Sequence, residues 1–388
     1  MDKNCASDSN TKIFKFSTQG FVYFEGQIFD LYRGNILVKE EQVSIDSLTC
    51  SIELARDWFL ANNDKNNIFN YEYLPETDSF SAKDSQIRQF GGLGAASRTA
   101  HFLDDKELEK KCLEKAKHYS SLLQKEGNTA WFYEGEKSKL GTSALFLIAL
   151  LELNKENQFD AEIEQLGNFI LSMQMENGAF YTHYPKSIRE SSVNYYPGEA
   201  LLALMLAFEE TGKKEYLKAV EKAFPYYKKY FDENKNTSFI PWQSSAYSHA
   251  FLTTGKKEYA EFVFEMTDWI LKLQYDENAP YPDYKGGFSL NGTPGSSTCS
   301  YSEGLGDALL TAKTIKDTDR TEKYRNALKN ALRLALQLQF NEKNTYSAKK
   351  PELTTGGFRN SLATEKIRVD NVQHCTTAIL KFIEIETD

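Results

Sequence analysis

The sequence predicts an all-α fold in which six helical hairpins close into a ring, an (α/α)6 toroid, behind a small N-terminal β appendage. Three observations predict this fold: helical periodicity begins near residue 45, charged helices alternate with apolar ones, and a phrase running from glutamine to an aromatic residue recurs along the chain. Only the outer layer of such a ring meets water, so charged outer helices and apolar inner helices are what the ring requires.

The segment before the helices divides into two parts. Residues 1–12 are polar and are predicted to form a disordered tail, without the apolar stretch of a signal peptide. Apolar and polar residues alternate between glycines in residues 13–39, so we predict two or three short strands in a β appendage spanning 13–44. The toroid then spans 45–388, and no apolar run approaches the roughly 20 residues of a transmembrane helix.

The predicted hairpins each pair an amphipathic outer helix with a more apolar inner helix. The ends of these helices are set by loops rich in glycine, asparagine, aspartate and proline. The predicted pairs are 46–61 with 84–102, 107–124 with 139–154, 159–174 with 195–211, 214–231 with 242–254, 257–274 with 298–315, and 320–339 with 370–386.

The recurring phrase follows several of the outer helices. FILSMQ (169–174) leads to ENGAFY, WILKLQ (269–274) leads to DYKGGF, and LALQLQ (334–339) leads to TTGGF. Weaker copies are YSSLLQ (119–124) before TAWFY and YYKKYF (226–231) before SFIPW. This self-similarity indicates a repeat protein with a single ring.

Charge and cysteine usage exclude several functional classes. The formal net charge of −9 argues against a general binder of nucleic acid or anionic membranes, which needs clustered Lys and Arg. Five scattered cysteines without CxxC spacing predict buried thiols in a reducing, cytoplasmic compartment, with neither a disulfide framework nor a zinc site. No phosphate-loop or dinucleotide-binding motif occurs, so no cofactor is predicted.

The site is predicted where the inner helices begin. Inner helices of a ring run in the same direction, so their first turns meet at one end, where unpaired N–H groups favour anionic ligands. Polar side chains there are costly unless they are paired or line a wet cavity. The candidates are Asp84, Arg88, Gln89, Tyr195, Tyr196, Glu199, Trp242, Gln243, Tyr301, Glu303, Asp370 and His374.

His374 is the first catalytic candidate. It lies in the first turns of the last inner helix, and Asp370 four residues earlier is expected to orient the imidazole and to raise its basicity for a role as a general acid or base. Tyr195, Tyr196, Glu199 and Glu303 are its candidate catalytic partners. The alternatives stay open: His374 could be a core histidine, and Glu199 and Glu303 could be structural, Glu199 because a carboxylate in a first helical turn complements the helix dipole.

The remaining candidates are assigned to substrate binding. Arg88 could clamp a substrate carboxylate or phosphate, or pair with a carboxylate across the ring. Asp84 could cap the helix that holds Arg88. Trp242 could stack on a sugar face or plug the funnel. Gln89, Gln243 and Tyr301 complete this group. The glycines of GGLGAASR (91–98) are expected to permit close helix packing.

The repeats resemble known toroids. The glutamine-to-aromatic phrase followed by an inner helix is similar to repeats of squalene cyclases and protein prenyltransferases. The six hairpins resemble sugar enzymes, namely glucuronyl C5-epimerase C-terminal domains, N-acylglucosamine 2-epimerases, and several lyases and hydrolases. LYRGN (31–35) and RQFGG (88–92) also look like segments of a group of bacterial toroid proteins.

The resemblance can be followed at individual positions. The cyclases' DxDD motif is absent, and the Asp-x-Cys zinc pair of prenyltransferases is missing although Asp370, His374 and Cys375 are similar to part of that site. His374 could match the last catalytic histidine of the sugar 2-epimerases. Tyr195-Tyr196-Pro197 and Trp242 stand where those enzymes are expected to have other histidines.

Together these observations predict an enzyme acting on a sugar or a uronate-containing glycan by acid/base chemistry, as an epimerase, lyase or hydrolase. Its predicted partner is a small sugar or glycan. One alternative is a non-catalytic toroid that binds a glycan or peptide. Another is an isoprenoid-handling enzyme, which predicts a deep apolar cavity with few convergent charges.

Overall fold

The computed structural model describes residue 14 and residues 16–288 and 292–387, so the predicted tail 1–12 lies outside the described residues. The chain forms two compact units, residues 1–37 and residues 38–388. The helical unit thus begins at Val38, ahead of the predicted boundary at residue 45.

The described part of the first unit contains one β-hairpin. Strand β1 (Gly20–Phe24) pairs antiparallel with β2 (Gln27–Leu31), with Phe24 opposite Gln27. Glu25 and Gly26 both have positive φ, 47° and 80°. Two positive φ angles match the right-handed twist of the flanking strands, which is why two-residue hairpin turns favour them.

The second unit alternates outer and inner helices. The bounds of all twelve predicted ring helices agree with the structure to within a few residues at most ends. The outer helices are α1 (Ile45–Ala61), α3 (Lys106–Ser120), α5 (Asp160–Ser172), α8 (Lys214–Glu233), α10 (Lys257–Ile270) and α12 (Thr318–Leu338). The inner helices are α2 (Gln86–Leu103), α4 (Leu140–Leu153), α7 (Tyr196–Thr211), α9 (Ile240–Thr254), α11 (Ser297–Ile315) and α14 (Val369–Thr387), and the short helices α6 (Glu190–Val193) and α13 (Pro351–Thr354) lie in loops.

The inner helices close a ring. Each packs against the next in the order α2, α4, α7, α9, α11, α14, and α14 packs against α2. The outer helix α8 shows how sequence sets the layers, because Tyr216, Val220, Phe224 and Tyr227 are buried on one face while its lysines remain on the other. A buried side chain of this size stabilises the fold by about 1.5–3 kcal/mol.

The recurring phrase links neighbouring outer helices. The amides of Gln174, Gln274 and Gln339 each donate to a backbone carbonyl on the outer helix of the next hairpin, at 2.8–2.9 Å. Those carbonyls belong to residues 219, 327 and 51, so the third link joins the last hairpin to the first. Each amide also donates to the carbonyl of the phrase's own glycine.

The glycines of the phrase are required by close approach. Gly178, Gly286 and Gly356 all have positive φ, between 81° and 90°. A Cβ at any of them would lie within about 2.2 Å of a carbonyl oxygen on the next outer helix. No side chain fits there without moving backbone, so the phrase is a packing element of the repeat.

Short strands occupy the loops around the ring, and the sequence did not predict them. A four-stranded sheet has the order β4 (Ser79–Phe80), β3 (Glu72–Leu74), β10 (Thr364–Arg368), β9 (Arg359–Ser361). Two further pairs are β5 (Gln124–Glu126) with β6 (Thr129–Trp131), and β7 (Ser138–Lys139) with β8 (His183–Tyr184). Strand β10 runs directly into α14, which fixes the start of that inner helix.

The expectation that all cysteines are thiols is wrong. Cys299 on α11 and Cys375 on α14 form a disulfide, with Cα atoms 4.6 Å apart. Both are buried, Cys112 is a buried thiol, and Cys50 is an exposed one. Spacing could not reveal the pair, because the two cysteines are 76 residues apart and meet only when the ring closes.

Candidate active site

The first turns of the inner helices surround a cavity of about 590 Å³, which we term the proximal chamber. It lies where the inner-helix starts converge, as the sequence predicted. Its lining is Ser85, Ile87, Arg88, Lys139, Leu145, Tyr195, Tyr196, Glu199, Ser238, Trp242, Ser296, Ser297, Ser300, Tyr301, Asn360, Arg368, Asp370, Asn371, Gln373 and His374.

A second cavity of about 530 Å³, the distal chamber, lies between the later turns of the same inner helices. Leu145, Trp242 and Gln373 line both chambers and therefore separate them. The distal chamber is lined by Phe90, Gly91, Gly94, Ala95, Arg98, His101, Phe102, Leu145, Ile148, Glu152, Leu202, Leu206, Trp242, Ser245, His249, Glu303, Asp307, Leu310, Gln373, Thr377, Lys381, Glu384 and Ile385.

His374 is paired with Glu303. Its Nδ1 lies 2.5 Å from Glu303 Oε1, and the side chains are 20% and 7% exposed. Burial alone lowers the pKa of the imidazole, but the charge and hydrogen bond of Glu303 outweigh it and raise the pKa above the usual 6.5. His374 opens on the proximal chamber and Glu303 on the distal one, so the pair crosses the wall between them.

The prediction that Asp370 orients His374 is wrong, although the charge of Asp370 does help to raise the pKa of the imidazole, as predicted. Asp370 instead binds two arginines: Arg368 donates to both of its oxygens at 2.5 and 2.8 Å, and Arg88 Nε donates at 2.8 Å. Burial raises the pKa of this carboxyl, but the arginines outweigh it and hold the pKa below 3.8. Helical spacing places Asp370 one turn before His374, but the two arginines occupy its carboxylate oxygens. Of the two roles predicted for Arg88, the structure shows the pairing with a carboxylate across the ring. Arg88 also donates to the Tyr71 hydroxyl at 2.9 Å.

Glu199 is a buried carboxyl without a partner for one oxygen. The residue is 4% exposed, lines the proximal chamber, and its Oε2 has no hydrogen-bond partner. Desolvation raises its pKa from 4.5 to about 8. Gly141 makes room for it, since a Cβ there would lie 2.0 Å from Glu199 Oε2. At neutral pH this carboxyl carries its proton.

The aromatic candidates lie around the chamber. Tyr195 is 43% exposed and its hydroxyl hydrogen-bonds to Ser238 at 2.9 Å. Desolvation and the neighbouring Glu199 raise the pKa of Tyr196 to about 12, so its hydroxyl stays protonated. The rings of Trp242 and His374 are 6.1 Å apart. Trp242 therefore forms part of the wall between the chambers and of the imidazole's surroundings.

Three candidates line neither chamber. Gln89 is buried and donates to Asp84 at 2.8 Å and to the Phe69 carbonyl at 2.9 Å. Asp84 also accepts a hydrogen bond from the backbone N–H of Ser85. The N-cap of α2 is Ser85, so the predicted capping of this helix by Asp84 is wrong. Gln243 is 1% exposed and packs inside the ring. Gln89 and Asp84 therefore bond to each other at the start of α2, and the buried Gln243 opens on neither chamber.

Tyr301 lines the chamber and hydrogen-bonds to Thr237 at 3.1 Å. The sequence reasoning missed a set of hydroxyl and amide side chains beside it. Ser296 donates to Asn371 at 3.0 Å, and Ser297 and Asn360 also line the chamber. The run of serines before α11 was the available signal, but serine is so common at helix starts that it carries little information on its own.

The distal chamber contains ion pairs that sequence reasoning also missed. Lys381 donates to Asp307 at 2.6 Å, and Ser245 donates to the same carboxylate. Arg98 pairs with Glu384. These residues occupy middle and later turns of apolar inner helices, where an unpaired charge is costly. Charged residues at these positions of apolar helices were therefore the available sequence signal for a second chamber.

Within the part of the chain that the structure describes, no three His, Cys, Asp or Glu side chains are grouped to hold a metal ion. No described helix is long and apolar enough to cross a membrane.

Comparisons with known proteins identify the architecture. No family model and no curated protein matches the sequence. Similar solved structures include an unsaturated glucuronyl hydrolase specific for heparin (TM-score 0.63, 11% identity, 89% of this chain and 99% of that one) and D-mannose isomerase (0.63, 12%, 88% and 98%). Another is cellobiose 2-epimerase from Bacillus thermoamylovorans B4167 (0.61, 11%, 87% and 98%). The fold is an (α/α)6 toroid, as the repeats predicted.

Proposed function

We propose that the protein is an enzyme that acts on a carboxylate-bearing sugar by proton transfer in the proximal chamber. The observation that carries this proposal is Glu199, a protonated carboxyl held in a cavity that also contains His374. An acid with a pKa near the working pH can both donate and recover a proton efficiently.

Glu199 is assigned the general acid. Its pKa of about 8 keeps it protonated at neutral pH, and Gly141 allows its carboxyl to lie against the wall of α4. His374 is assigned the second proton-transfer group, with Glu303 orienting Nδ1 so that the other ring nitrogen, Nε2, is left for the substrate. Tyr196 stays neutral beside Glu199 and can donate a hydrogen bond.

The charge of the chamber supports an anionic sugar. Among the described residues that line it, Arg88, Lys139 and Arg368 are cationic and Asp370 is an ionised carboxylate, while Glu199 holds its proton. Both arginines contact Asp370 and Lys139 pairs with Glu134, so the two arginines together leave one positive charge beyond that of Asp370 for an anionic group. Guanidinium groups bind carboxylates through paired hydrogen bonds. Serine, asparagine and tyrosine side chains around them suit sugar hydroxyls.

Similar structures support the substrate class. They are a glucuronyl hydrolase, a mannose isomerase and a cellobiose epimerase, all of which act on sugars. The isoprenoid alternative predicts an apolar chamber with few convergent charges, and the proximal chamber has neither property. We therefore favour the sugar enzyme.

The test is a turnover screen. Uronate-containing and neutral oligosaccharides are incubated with the protein, and products and solvent-deuterium incorporation are followed by mass spectrometry and ¹H NMR. We expect turnover of a uronate substrate that falls by about 10²–10⁴-fold in Glu199→Gln and in His374→Gln.

The matched controls are Glu53→Gln and His118→Gln, which replace exposed residues on outer helices and should keep full activity. Turnover that survives both site substitutions, or no turnover of any uronate or neutral sugar, would overturn the proposal.

A further inference from the structure

The two helices that carry the His374–Glu303 pair are joined by a disulfide beside that pair. Cys375 is the residue after His374 on α14, and Cys299 precedes Glu303 by four residues, one turn, on α11. The covalent link and the hydrogen bond therefore connect the same two helices within one turn of each other.

We propose that the Cys299–Cys375 disulfide is a positioning element that holds Glu303 against His374, and that reducing it weakens this pair and the activity that depends on it. The proposal rests on the proposed function for its effect on catalysis. Its effect on the pair itself does not depend on any substrate.

The physical argument begins with space. Both cysteines are buried, at 1% and 0% exposed, and their Cα atoms are 4.6 Å apart. Two thiols that are no longer bonded must separate to van der Waals contact, and a close-packed interior resists that change. Because the packed surroundings leave little room for the side chains alone to rotate, we expect the turns of α11 and α14 that carry the cysteines to move apart or rotate when the disulfide is reduced.

The pair is sensitive to such a movement. Its atoms are 2.5 Å apart, a short charge-assisted hydrogen bond whose strength falls steeply with distance. No backbone hydrogen bond holds two inner helices at a fixed separation, since helices satisfy their backbone groups internally. Side-chain contacts and the disulfide set the distance between Glu303 and His374.

The surroundings of His374 decide what loss of the contact would do. Asp370, Arg368 and Trp242 also lie around the imidazole, but Asp370 is engaged by Arg368 and Arg88. Glu303 supplies the largest attraction for the imidazolium proton, whereas burial opposes it. Weakening the Glu303 contact therefore favours the neutral imidazole.

The experiment measures the pKa of His374 by ¹H–¹⁵N NMR in the oxidised and reduced protein. The assignment comes from His374→Gln, and a Cys5→Ser/Cys50→Ser/Cys112→Ala background leaves one cysteine pair for reduction. Because the disulfide is buried, reduction is carried out with a phosphine in mild denaturant, followed by refolding, and is verified by alkylation and mass spectrometry.

We expect the pKa of His374 to fall by about one unit or more on reduction, the change that roughly 1 Å of separation beyond the 2.5 Å contact gives at an effective dielectric constant of about 20. His183 in β8, whose pKa burial lowers below 6.5, serves as the control and should titrate unchanged. Cys299→Ala/Cys375→Ala should behave as the reduced protein does and provides a second route if reduction unfolds the chain.

An unchanged His374 pKa in both the reduced protein and the double alanine variant would overturn the proposal, as would a pair that stays reduced after air oxidation. A loss of thermal stability alone would show only a structural role. Failure here leaves the turnover screen untouched, and failure of that screen leaves the NMR result standing, so the two proposals can be told apart.

Discussion

Glu303 and His374 are joined at 2.5 Å across two neighbouring inner helices, yet each side chain opens on a different chamber. The imidazole is thus presented to the proximal chamber while its orienting carboxylate is held behind the wall. A substrate in the proximal chamber can reach the ring without displacing Glu303 from it.

Replacing Glu303 by glutamine should lower the pKa of His374. The carboxylate raises that pKa against the effect of burial, so its removal leaves burial dominant and the pKa below 6.5. NMR titration of the imidazole measures the change. In the wild type, the stability that the raised pKa contributes is present below pH 6.5 and is lost as the pH rises through the folded-state value. The free energy of unfolding of Glu303→Gln should not show this loss with rising pH. An unchanged titration of His374 in the variant would contradict the pairing.

Glu199 should make the protein less stable at alkaline pH. Its pKa is 4.5 in the unfolded chain and about 8 in the fold, so the folded state keeps the proton longer. Stability therefore falls as the pH rises from about 4.5 to about 8, by up to about 5 kcal/mol from this group. Urea unfolding of the wild type and Glu199→Gln across that range should show the difference growing with pH. Parallel curves would mean that Glu199 is not buried as a neutral acid.

Substituting Gly141 should disturb the acid without changing its chemistry. A Cβ at this position would meet Glu199 Oε2 at 2.0 Å, so Gly141→Ala should cost about 1–3 kcal/mol of stability and lower the pKa of Glu199 as its carboxyl is pushed into the chamber. The matched control is Gly94→Ala, where the nearest atom is at 3.8 Å and the better helix propensity of alanine should stabilise by about 0.5–1 kcal/mol. Equal effects at the two positions would refute the contact.

The glycines of the recurring phrase should be sensitive for a reason separate from backbone strain. Gly178 and Gly212 both have positive φ, at 90° and 67°, but only Gly178 would place a Cβ against a neighbouring carbonyl oxygen, at 2.2 Å. Gly212→Ala should cost about 1–2 kcal/mol from its left-handed backbone alone. Gly178→Ala should cost at least about 1–3 kcal/mol more. Thermal or urea unfolding compares them, and similar losses would show that the link between hairpins is unimportant.

The layers and helix bounds could be predicted because they depend on local periodicity. The amphipathic face of α8 and the apolar surface of α4 are each visible within one stretch of sequence. The gathering of candidate side chains at one end followed from the parallel direction of inner helices. Nine of the twelve candidates line one of the two chambers: Arg88, Tyr195, Tyr196, Glu199, Trp242, Tyr301, Glu303, Asp370 and His374.

The partners inside the site could not be predicted, because they depend on which helices become neighbours when the ring closes. Glu303 and His374 are separated by 71 positions and Arg88 and Asp370 by 282. Helical spacing suggested Asp370 as a local partner for His374. In the structure Asp370 pairs with Arg368 and Arg88 instead, and Glu303 on α11 pairs with His374. The disulfide was missed for the same reason.

The link from Gln339 to the carbonyl of Ser51 has the same chemistry and length as the links between successive hairpins. The joint between the last and the first hairpin is therefore held in the same way as the joints of α5 with α8 and of α10 with α12. A circular permutant opened in the loop between α7 and α8, with residues 38 and 387 bridged by a flexible linker, would keep all three of these links.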